Sequence, residues 1–490
     1  MTQTNNQNYI LLRKIAHQAM VDKGLFPDFT PAVISEMNKI KEAASENSPN
    51  IRDLRDLIWC SIDNDDSRDL DQLSVAVEMP TGEIRILIAI ADVDALVKKD
   101  SEIDRHASHN TTSIYTPVQI FPMLPERLST DLTSLNYNCD RLSIVIDMNI
   151  AEDGTIKDSE VYRALVHNHA KLAYNSVSAW LDGNSQIPEE ISAVNKLDKN
   201  IKQQYLISQK LKAYRRKNGA LDFETIKARP TFENGKVKDL EIEKSNSSKN
   251  MIEDFMIAAN GVTARYLEAK NFPSLRRVVR TPKRWDRIAE LAAKQNYKLP
   301  EQPDSKALEL FLEVSKKNDP THFPDISLSI IKLLGPGEYV VEIPNAQSLG
   351  HFGLAVKDYS HSTAPNRRYP DIITQRLLKA AMSGNSIPYN NQELEILAKH
   401  CTDSENLAKK VERQVEKSAN ISLLESKIGQ KFDAIVTGSS NKGTWIRLIY
   451  PPIEGKLVNP SKNTDVGDKI HVQLIHTDVE RGFIDFKDLN

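Results

Sequence analysis

Residues 61–79 read S-I-D-N-D-D-S-R-D-L-D-Q-L-S-V-A-V-E-M, an acidic cluster that runs directly into an alternating apolar segment. The alternation predicts a strand. Crowded carboxylates repel one another, and a bound divalent cation relieves that repulsion. The cluster therefore indicates an oxygen-rich site for a hard cation at the start of a strand. Its five carboxylates belong to Asp63, Asp65, Asp66, Asp69 and Asp71.

Two other interpretations compete with a metal site. A solvated loop is the commonest fate of an acidic cluster, and the spacing alone leaves it open. An EF-hand that begins at Asp63 would need glycine where Arg68 stands and glutamate where Ser74 stands, so it is excluded. A Mg²⁺ or Mn²⁺ site for phosphoryl transfer remains, provided that other segments supply phosphate-binding groups.

Composition gives the broad class. A chain of 490 residues exceeds what one hydrophobic core usually holds, so we expect two to four domains. The formal net charge of −3 means that local basic patches must bind any polyanion. Cys60, Cys139 and Cys401 are too widely spaced for a disulfide framework or a CxxC metal site. Without a secretory signal or a long apolar run, we expect a cytoplasmic protein with no membrane association.

Changes in pattern divide the chain into four segments and predict an α+β fold. Residues 391–427 are polar with helical spacing, and we expect a helix pair there. Residues 428–490 contain five short strand-like runs in about sixty residues, which predicts a five-stranded β-barrel of OB type. The segments are a helical amino-terminal region (1–55), a mixed segment (56–390), a helical connector (391–427) and the barrel (428–490).

The amino-terminal region carries signals for two helices. Apolar residues recur at helical spacing over 9–20, and Thr30 followed by Pro31 predicts the start of a second helix. Two short helices are compatible with a helix-turn-helix arm, although plain packing is the commoner outcome.

A second informative stretch lies at 359–376 and reads Y-S-H-S-T-A-P-N-R-R-Y-P-D-I-I-T-Q-R. Pro365 breaks the chain, so Arg367 and Arg368 fall at the start of a predicted helix, where the dipole attracts phosphate. With His361 and Tyr369 nearby, they suit a phosphodiester backbone. A surface arginine pair that bonds helix carboxylates remains the alternative.

Two further basic stretches suit a polyanion. Residues 214–225 place three consecutive cations before a glycine turn and Phe223, which could stack a base or belong to the core. Residues 275–284 carry five cations in ten positions and could line a channel for a nucleic acid.

Together these motifs resemble the ribonuclease II/R family of 3′-to-5′ exoribonucleases, over about 58–385, followed by an S1-type RNA-binding tail. The family's carboxylate spacing is met at Asp63, Asp69 and Asp71, with Gln72 at the fourth place. Further matches occur in the family's order: I-A-D-V (90–93), S-I-Y (113–115), P-M-L-P (122–125), S-L-N (134–136), D-R-L (140–142), G-A-L (219–221), I-E-D-F-M (252–256), A-A-N (258–260), H-F-G-L-A (351–355) and the block at 361–376.

The resemblance implies roles for individual residues. Asp69, Asp71 and Arg367 would be catalytic, and Arg367 would steady the scissile phosphate. Asp63, Asp69, Asp71 and Gln72 would hold Mg²⁺, with Mn²⁺ as the alternative. RNA would be bound by Tyr115 and Phe223, which stack the last bases, by Glu253 at the terminal nucleotide, and by His361, Arg368, Tyr369 and Trp445.

The chain departs from the family pattern in three ways. Gln72 removes one negative charge from the metal site, which weakens its pull on a divalent ion. Ala89 and Arg280 replace common histidines, and Ser362, Ala364 and Asn366 alter the arginine motif. No cold-shock barrels precede the catalytic segment, so we expect the tail barrel to bind RNA through Phe432, Lys442 and Trp445. Trp445 could instead fill the barrel core.

These observations predict a divalent-metal-dependent exoribonuclease that degrades single-stranded RNA processively from its 3′ end to nucleoside 5′-monophosphates. The alternative is an RNA-binding or regulatory protein of the same family whose catalysis is weakened, as Gln72 suggests. A DNA-directed phosphodiesterase is a third, minor hypothesis. We expect single-stranded RNA as the partner and a monomeric chain, and the sequence identifies no protein partner.

Overall fold

A computed structural model describes residues 7–80, 82–225, 227–233, 236–243, 245–346, 348–440, 443–460, 464 and 467–489. Its helices and strands are mixed along the chain and end in a closed five-stranded barrel, which confirms the α+β prediction. The strands before the barrel are β1 (Ile51–Asp53), β2 (Cys60–Asp63), β3 (Gln72–Glu78), β4 (Ile84–Ala91), β5 (Ile114–Tyr115), β6 (Ile120–Phe121), β7 (Asp140–Ile150), β8 (Ile156–His167), β9 (Ala170–Ala173), β10 (Lys227–Glu233), β11 (Lys236–Glu243), β12 (Ser274–Val278) and β13 (Glu338–Glu342).

Seven of these strands form one mixed sheet in the order β1-β8-β7-β4-β3-β2-β9. The two outer pairs, β1 with β8 and β2 with β9, are parallel, and the inner pairs are antiparallel. β4 lies at the centre and is buried without a break from Ile86 to Ala91, as expected for a strand covered on both faces. The acidic loop joins neighbouring strands, so Asp63 ends β2 and Asp71 immediately precedes β3.

Helices cover the sheet and extend from it. The sequence analysis predicted the two amino-terminal helices, a helix at the arginine stretch and helical structure in the connector. The helices are α1 (Gln7–Asp22), α2 (Pro31–Met37), α3 (Glu102–Asn110), α4 (Tyr174–Leu181), α5 (Glu189–Ser192), α6 (Leu197–Lys217), α7 (Ser247–Ala269), α8 (Trp285–Lys294), α9 (Ser305–Asn318), α10 (Phe323–Leu334), α11 (Tyr369–Ser383) and α12 (Asn391–Ser422).

The two amino-terminal helices pack against later parts of the chain. The side chain of Thr30 accepts a hydrogen bond from the backbone N–H of Val33, and Pro31 opens α2, as the sequence predicted. α1 lies along α12, while α2 lies against α3. This arrangement supports the packing interpretation of these helices over a helix-turn-helix arm.

The prediction of a helix pair in the connector is wrong, because α12 is one continuous helix of 32 residues. Its sequence contains neither glycine nor proline, so nothing in the backbone interrupts the hydrogen-bond ladder. Buried side chains recur along its length, including Leu394, Cys401 and Val415, and give it one face packed against the rest of the protein.

The tail forms the predicted five-stranded barrel. Its strands are β14 (Lys431–Ser440), β15 (Gly443–Leu448), β16 (Glu454–Val458), β17 (Lys469–Asp478) and β18 (Phe483–Asp488). They close in the order β14-β15-β16-β18-β17. Alternate residues of β15 face inward, and the interior is filled by apolar side chains such as Ile446, Leu457 and Phe486.

The barrel interior requires glycine at position 455. A Cβ atom there would fall against the buried ring of Phe486 and 2.8 Å from Cγ2 of Ile484. We therefore expect Gly455→Ala to destabilise the barrel by about 1–3 kcal/mol, measured by thermal unfolding. Gly438→Ala is the control, because its nearest neighbour would be a Trp445 ring carbon at 3.9 Å. Equal stability of the two variants would contradict this account of the packing.

Candidate active site

The acidic loop meets the arginine loop at Asp71. Asp71 is 3% exposed. Its Oδ1 accepts a hydrogen bond of 2.9 Å from the backbone N–H of Asn366, and its Oδ2 accepts one of 3.2 Å from Nε of Arg367. Two motifs almost 300 residues apart in the chain are thus joined through one carboxylate.

The electrostatics of the acidic loop favour a cation. Burial raises the pKa of Asp71 to about 7, although Arg367 opposes the shift, and the nearby charge of Asp69 adds to it. Burial also raises the pKa of Asp63, and Asp69 contributes there as well. Each carboxylate is therefore close enough to influence another, and a positive charge among them would stabilise their ionised forms. By contrast, Asp65 and Asp66 are exposed on the same loop.

Tyr115 reaches the acidic loop from the short β5–β6 hairpin. Its hydroxyl donates a hydrogen bond of 3.0 Å to Oδ2 of Asp69. The side chain remains 41% exposed, so its ring is available for contact with a ligand. The structure therefore places Asp63, Asp69, Asp71, Tyr115 and Arg367 in one region, although the three carboxylates do not all converge within 4.8 Å of one another.

The two adjacent arginines have different surroundings. The side chain of Arg367 is 44% exposed and forms a 3.2 Å ion pair with Asp71. The side chain of Arg368 is 21% exposed and forms a 2.7 Å ion pair with Asp371, which is fully buried. The structure thus leaves Arg367 open to a ligand, whereas Arg368 stabilises the start of α11.

α11 is fixed to the sheet by buried ion pairs, which the sequence analysis did not identify. Arg376 binds Asp94 at 2.8 Å and Asp104 at 2.7 Å. Lys379 binds Asp92 at 3.0 Å and Asp94 at 2.9 Å. Because Arg367 lies two residues before α11, these pairs also hold the arginine loop at a set place relative to β4.

Tyr174 is a further residue of the site that the sequence analysis missed. It follows β9, whose last residue, Ala173, pairs with Asp63. Burial raises the pKa of Tyr174, and the charges of Asp63 and Glu253 add to the shift. Glu253, an exposed residue of α7, therefore also lies near the acidic loop. No local pattern marks Tyr174, since its position depends on pairing between strands far apart in the chain.

His361 and Tyr369 lie behind the open site. Nδ1 of His361 is 2.8 Å from the hydroxyl of Tyr339, and burial together with Arg368 holds the pKa of His361 well below its ordinary range. Tyr369 is buried at the start of α11, and its backbone N–H donates to Thr111. Both side chains are placed to support the arginine loop.

Other residues predicted to bind RNA are spread over the molecule. Phe223 is half-buried and packs against the apolar cluster of α8, α9 and α10. Trp445 is half-buried on the outer side of β15, so it is not the core filler of the barrel. Phe432 is also half-buried, and Gln72 is half-buried at the start of β3. Lys442 lies outside the described residues.

A second group of acids lies elsewhere in the protein. Glu268, Glu342 and Asp358 converge within 4.8 Å of one another. The buried guanidinium of Arg276 lies among them, 2.9 Å from Glu342, 3.7 Å from Glu268 and 3.8 Å from Asp358. Arg276 already supplies the positive charge, so this group is a structural ion-pair network.

Within the described residues, every helix is either too short or too polar to span a lipid bilayer.

Two family models match the chain. The model described as the RNB domain matches residues 51–384, and the model described as the RNase II-type exonuclease C-terminal S1 domain matches residues 430–488. These matches confirm the resemblance drawn from the sequence.

Individual relatives agree with the models. Ribonuclease R from Vibrio parahaemolyticus is 28% identical over 491 residues, which cover 92% of this chain and 57% of that protein. The chain thus spans little more than half the length of this relative. The structure of Mycoplasma genitalium RNase R in complex with double-stranded RNA aligns with a TM-score of 0.85 and 25% identity, covering 97% of this chain and 82% of that chain.

The same fold occurs in a protein described as a pseudonuclease. Yeast Ssd1 aligns with a TM-score of 0.71 and 17% identity, covering 94% of this chain and 57% of that chain. The fold alone therefore does not establish catalysis, and the residues of the acidic loop must be considered individually.

Proposed function

Since this chain belongs to the RNB-domain family, we propose that it is a divalent-metal-dependent 3′-to-5′ exoribonuclease that degrades single-stranded RNA processively to nucleoside 5′-monophosphates. The observation that carries the proposal is the junction at Asp71, where a carboxylate of the acidic loop binds an exposed arginine. A metal-binding acid beside a free guanidinium is the pairing that phosphodiester hydrolysis needs.

The donor set of the acidic loop fits a hard cation. Asp63, Asp69 and Asp71 offer carboxylate oxygens, and Gln72 offers an amide oxygen in place of a fourth carboxylate. We propose that these residues hold Mg²⁺, or Mn²⁺ in its place. When bound, the ion activates a water molecule and stabilises charge on the leaving oxygen.

The residues around the acids position the substrate. Arg367 would bind the scissile phosphate, because its guanidinium is exposed and can offset negative charge on the phosphate oxygens. Tyr115 and Phe223 would stack the terminal bases, which grips RNA without sequence preference. Glu253 would hold the terminal nucleotide, and contacts to the 2′-OH would select RNA over DNA.

The remaining predicted residues would act in support of this site. Arg368, His361 and Tyr369 would keep the arginine loop in place, while Trp445 would contact RNA on the barrel. We assign hydrolysis to residues 56–390 and RNA binding to the barrel at 428–490. The connector at 391–427 would join them, and the region at 1–55 would pack against the catalytic segment.

The second candidate function is an RNA-binding or regulatory protein that cleaves weakly. Gln72 supports it, since the site holds one negative charge fewer than the family pattern. Both candidates bind RNA, so they differ in turnover alone.

A labelled oligonucleotide distinguishes the candidates. Single-stranded RNA labelled at its 5′ end is incubated with the protein and Mg²⁺, and a DNA strand of the same sequence is run alongside. The exoribonuclease converts the RNA to a short labelled end product and leaves the DNA intact. Full-length RNA at saturating protein supports the binding protein instead, and loss of the DNA supports a DNA-directed phosphodiesterase.

Gln72→Asp is expected to strengthen the metal site. A fourth carboxylate increases the attraction for a divalent ion, so we expect the Mg²⁺ concentration for half-maximal hydrolysis to fall about five- to tenfold. The measurement is a Mg²⁺ titration of the initial rate. Asn64→Asp is the matched control, since it adds the same charge to the exposed part of the loop. A similar gain in both variants would show a general charge effect and not a ligand at position 72.

A further inference from the structure

The hydroxyl of Tyr115 makes a hydrogen bond that base stacking does not require. A stacking residue needs only the face of its ring, yet this hydroxyl donates a 3.0 Å hydrogen bond to Oδ2 of Asp69. The ring itself remains accessible, at 41% exposure. One side chain therefore contacts a proposed metal-binding acid at one end and presents an aromatic face to the substrate along its length.

The backbone around Tyr115 is held on two sides. Its own N–H donates a 3.0 Å hydrogen bond to Oε1 of Glu412, in the middle of α12. Just before it, the N–H of Ser113 and the hydroxyl of Thr112 both donate to the backbone carbonyl of Arg367, at 3.0 and 3.1 Å. The tyrosine is thus fixed relative to the arginine loop before any ligand binds.

We propose that Tyr115 is a positioning residue for the metal site, whose hydroxyl fixes the Asp69 carboxylate for the divalent ion independently of base stacking. The inference rests on the proposed function. A hydrogen bond to Oδ2 restricts rotation of the carboxylate and leaves Oδ1 for the ion. Outer partners of this kind typically change metal affinity or activity by 10- to 100-fold. With Gln72 in the fourth place, the orientation of the remaining acids carries more of the binding.

The phenol is suited to this role. A phenol is protonated at neutral pH, so its hydroxyl is available as a hydrogen-bond donor to a carboxylate.

Tyr115→Phe separates the two roles, because phenylalanine keeps the aromatic face and loses the hydroxyl. Tyr9→Phe is the matched control: the Tyr9 hydroxyl donates a 2.8 Å hydrogen bond to the carbonyl of Val118, in the same hairpin region but without contact to Asp69. Mn²⁺ binding is measured by electron paramagnetic resonance without RNA. The affinity for ribose-methylated single-stranded RNA is measured without metal, and kcat and KM are measured with Mg²⁺.

For Tyr115→Phe we expect Mn²⁺ affinity and kcat at limiting Mg²⁺ to fall about tenfold each, with RNA affinity within twofold of wild type. Tyr9→Phe should match wild type in all three. The inference is overturned if Tyr115→Phe binds Mn²⁺ as tightly as wild type, or if it loses RNA affinity as much as kcat. Either of those results leaves the proposed function standing, whereas a wild-type protein that neither binds Mn²⁺ nor hydrolyses RNA removes both.

Discussion

Asp71→Asn is expected to reduce RNA hydrolysis by roughly a thousandfold while RNA affinity stays within a few-fold of wild type. The substitution removes one of three carboxylate charges from the proposed metal site. Asparagine can still accept from the N–H of Asn366, but its amide group faces Nε of Arg367, where two donors oppose each other. The substitution would therefore affect both the proposed metal ligand and the position of Arg367, which donates to it.

The measurement is a single-turnover rate with 5′-labelled RNA, together with a binding titration of the same RNA. Asp66→Asn is the control, since this aspartate is exposed on the same loop, and we expect its rate to stay within twofold of wild type. If both variants lost the same fraction of the single-turnover rate, the effect would be due to the net charge of the loop. An Asp71→Asn protein with wild-type turnover would remove Asp71 from the active site.

Arg367→Ala is expected to lower kcat by about 100- to 1,000-fold with a smaller change in KM. In the proposed function, the exposed guanidinium offsets charge that develops on the scissile phosphate, so its contribution would be largest in the transition state. Arg367→Lys should recover only part of the rate, because an ammonium group cannot form the planar two-point contact with phosphate. Steady-state kinetics on a short single-stranded RNA give both parameters.

Arg368 provides the contrast within the same dipeptide. Arg368→Ala leaves the fully buried carboxylate of Asp371 without its ion-pair partner, and breaking such a pair costs about 3–5 kcal/mol. We therefore expect this variant to unfold at a lower temperature. Arg367→Ala should lose less stability, because its ion pair with Asp71 is longer, at 3.2 Å against 2.7 Å, and its guanidinium is more exposed. If Arg367→Ala loses stability to the same extent, its kinetic defect is structural and the catalytic assignment fails.

Local sequence patterns predicted much of the fold and the residues at the centre of the site. The Thr30-Pro31 signal located α2, and the turns between short apolar runs located the barrel strands. The acidic stretch and the arginine stretch each indicate their chemistry alone, and the family resemblance singles out Asp63, Asp69, Asp71 and Arg367 within them.

The rest depended on contacts between distant segments. Tyr174 enters the site because β9 pairs in parallel with β2, a register that no local pattern specifies. The hydrogen bond from Tyr115 to Asp69 and the ion pair of Arg376 with Asp94 likewise join segments that are far apart in the chain. The outward position of Trp445 follows from the strand register in the barrel, which composition does not determine.

In the proposed function, α12 sets a fixed distance between two RNA-binding surfaces, the Tyr115 hairpin and the barrel. Glu412, which accepts the N–H of Tyr115, lies ten positions before Ser422, the last residue of α12, and a helical rise of 1.5 Å per residue makes that span about 15 Å. An uninterrupted helix does not fold or stretch as a flexible linker does. In the proposed function, the length of this helix therefore helps to set the shortest RNA that can contact the Tyr115 hairpin and the barrel at once.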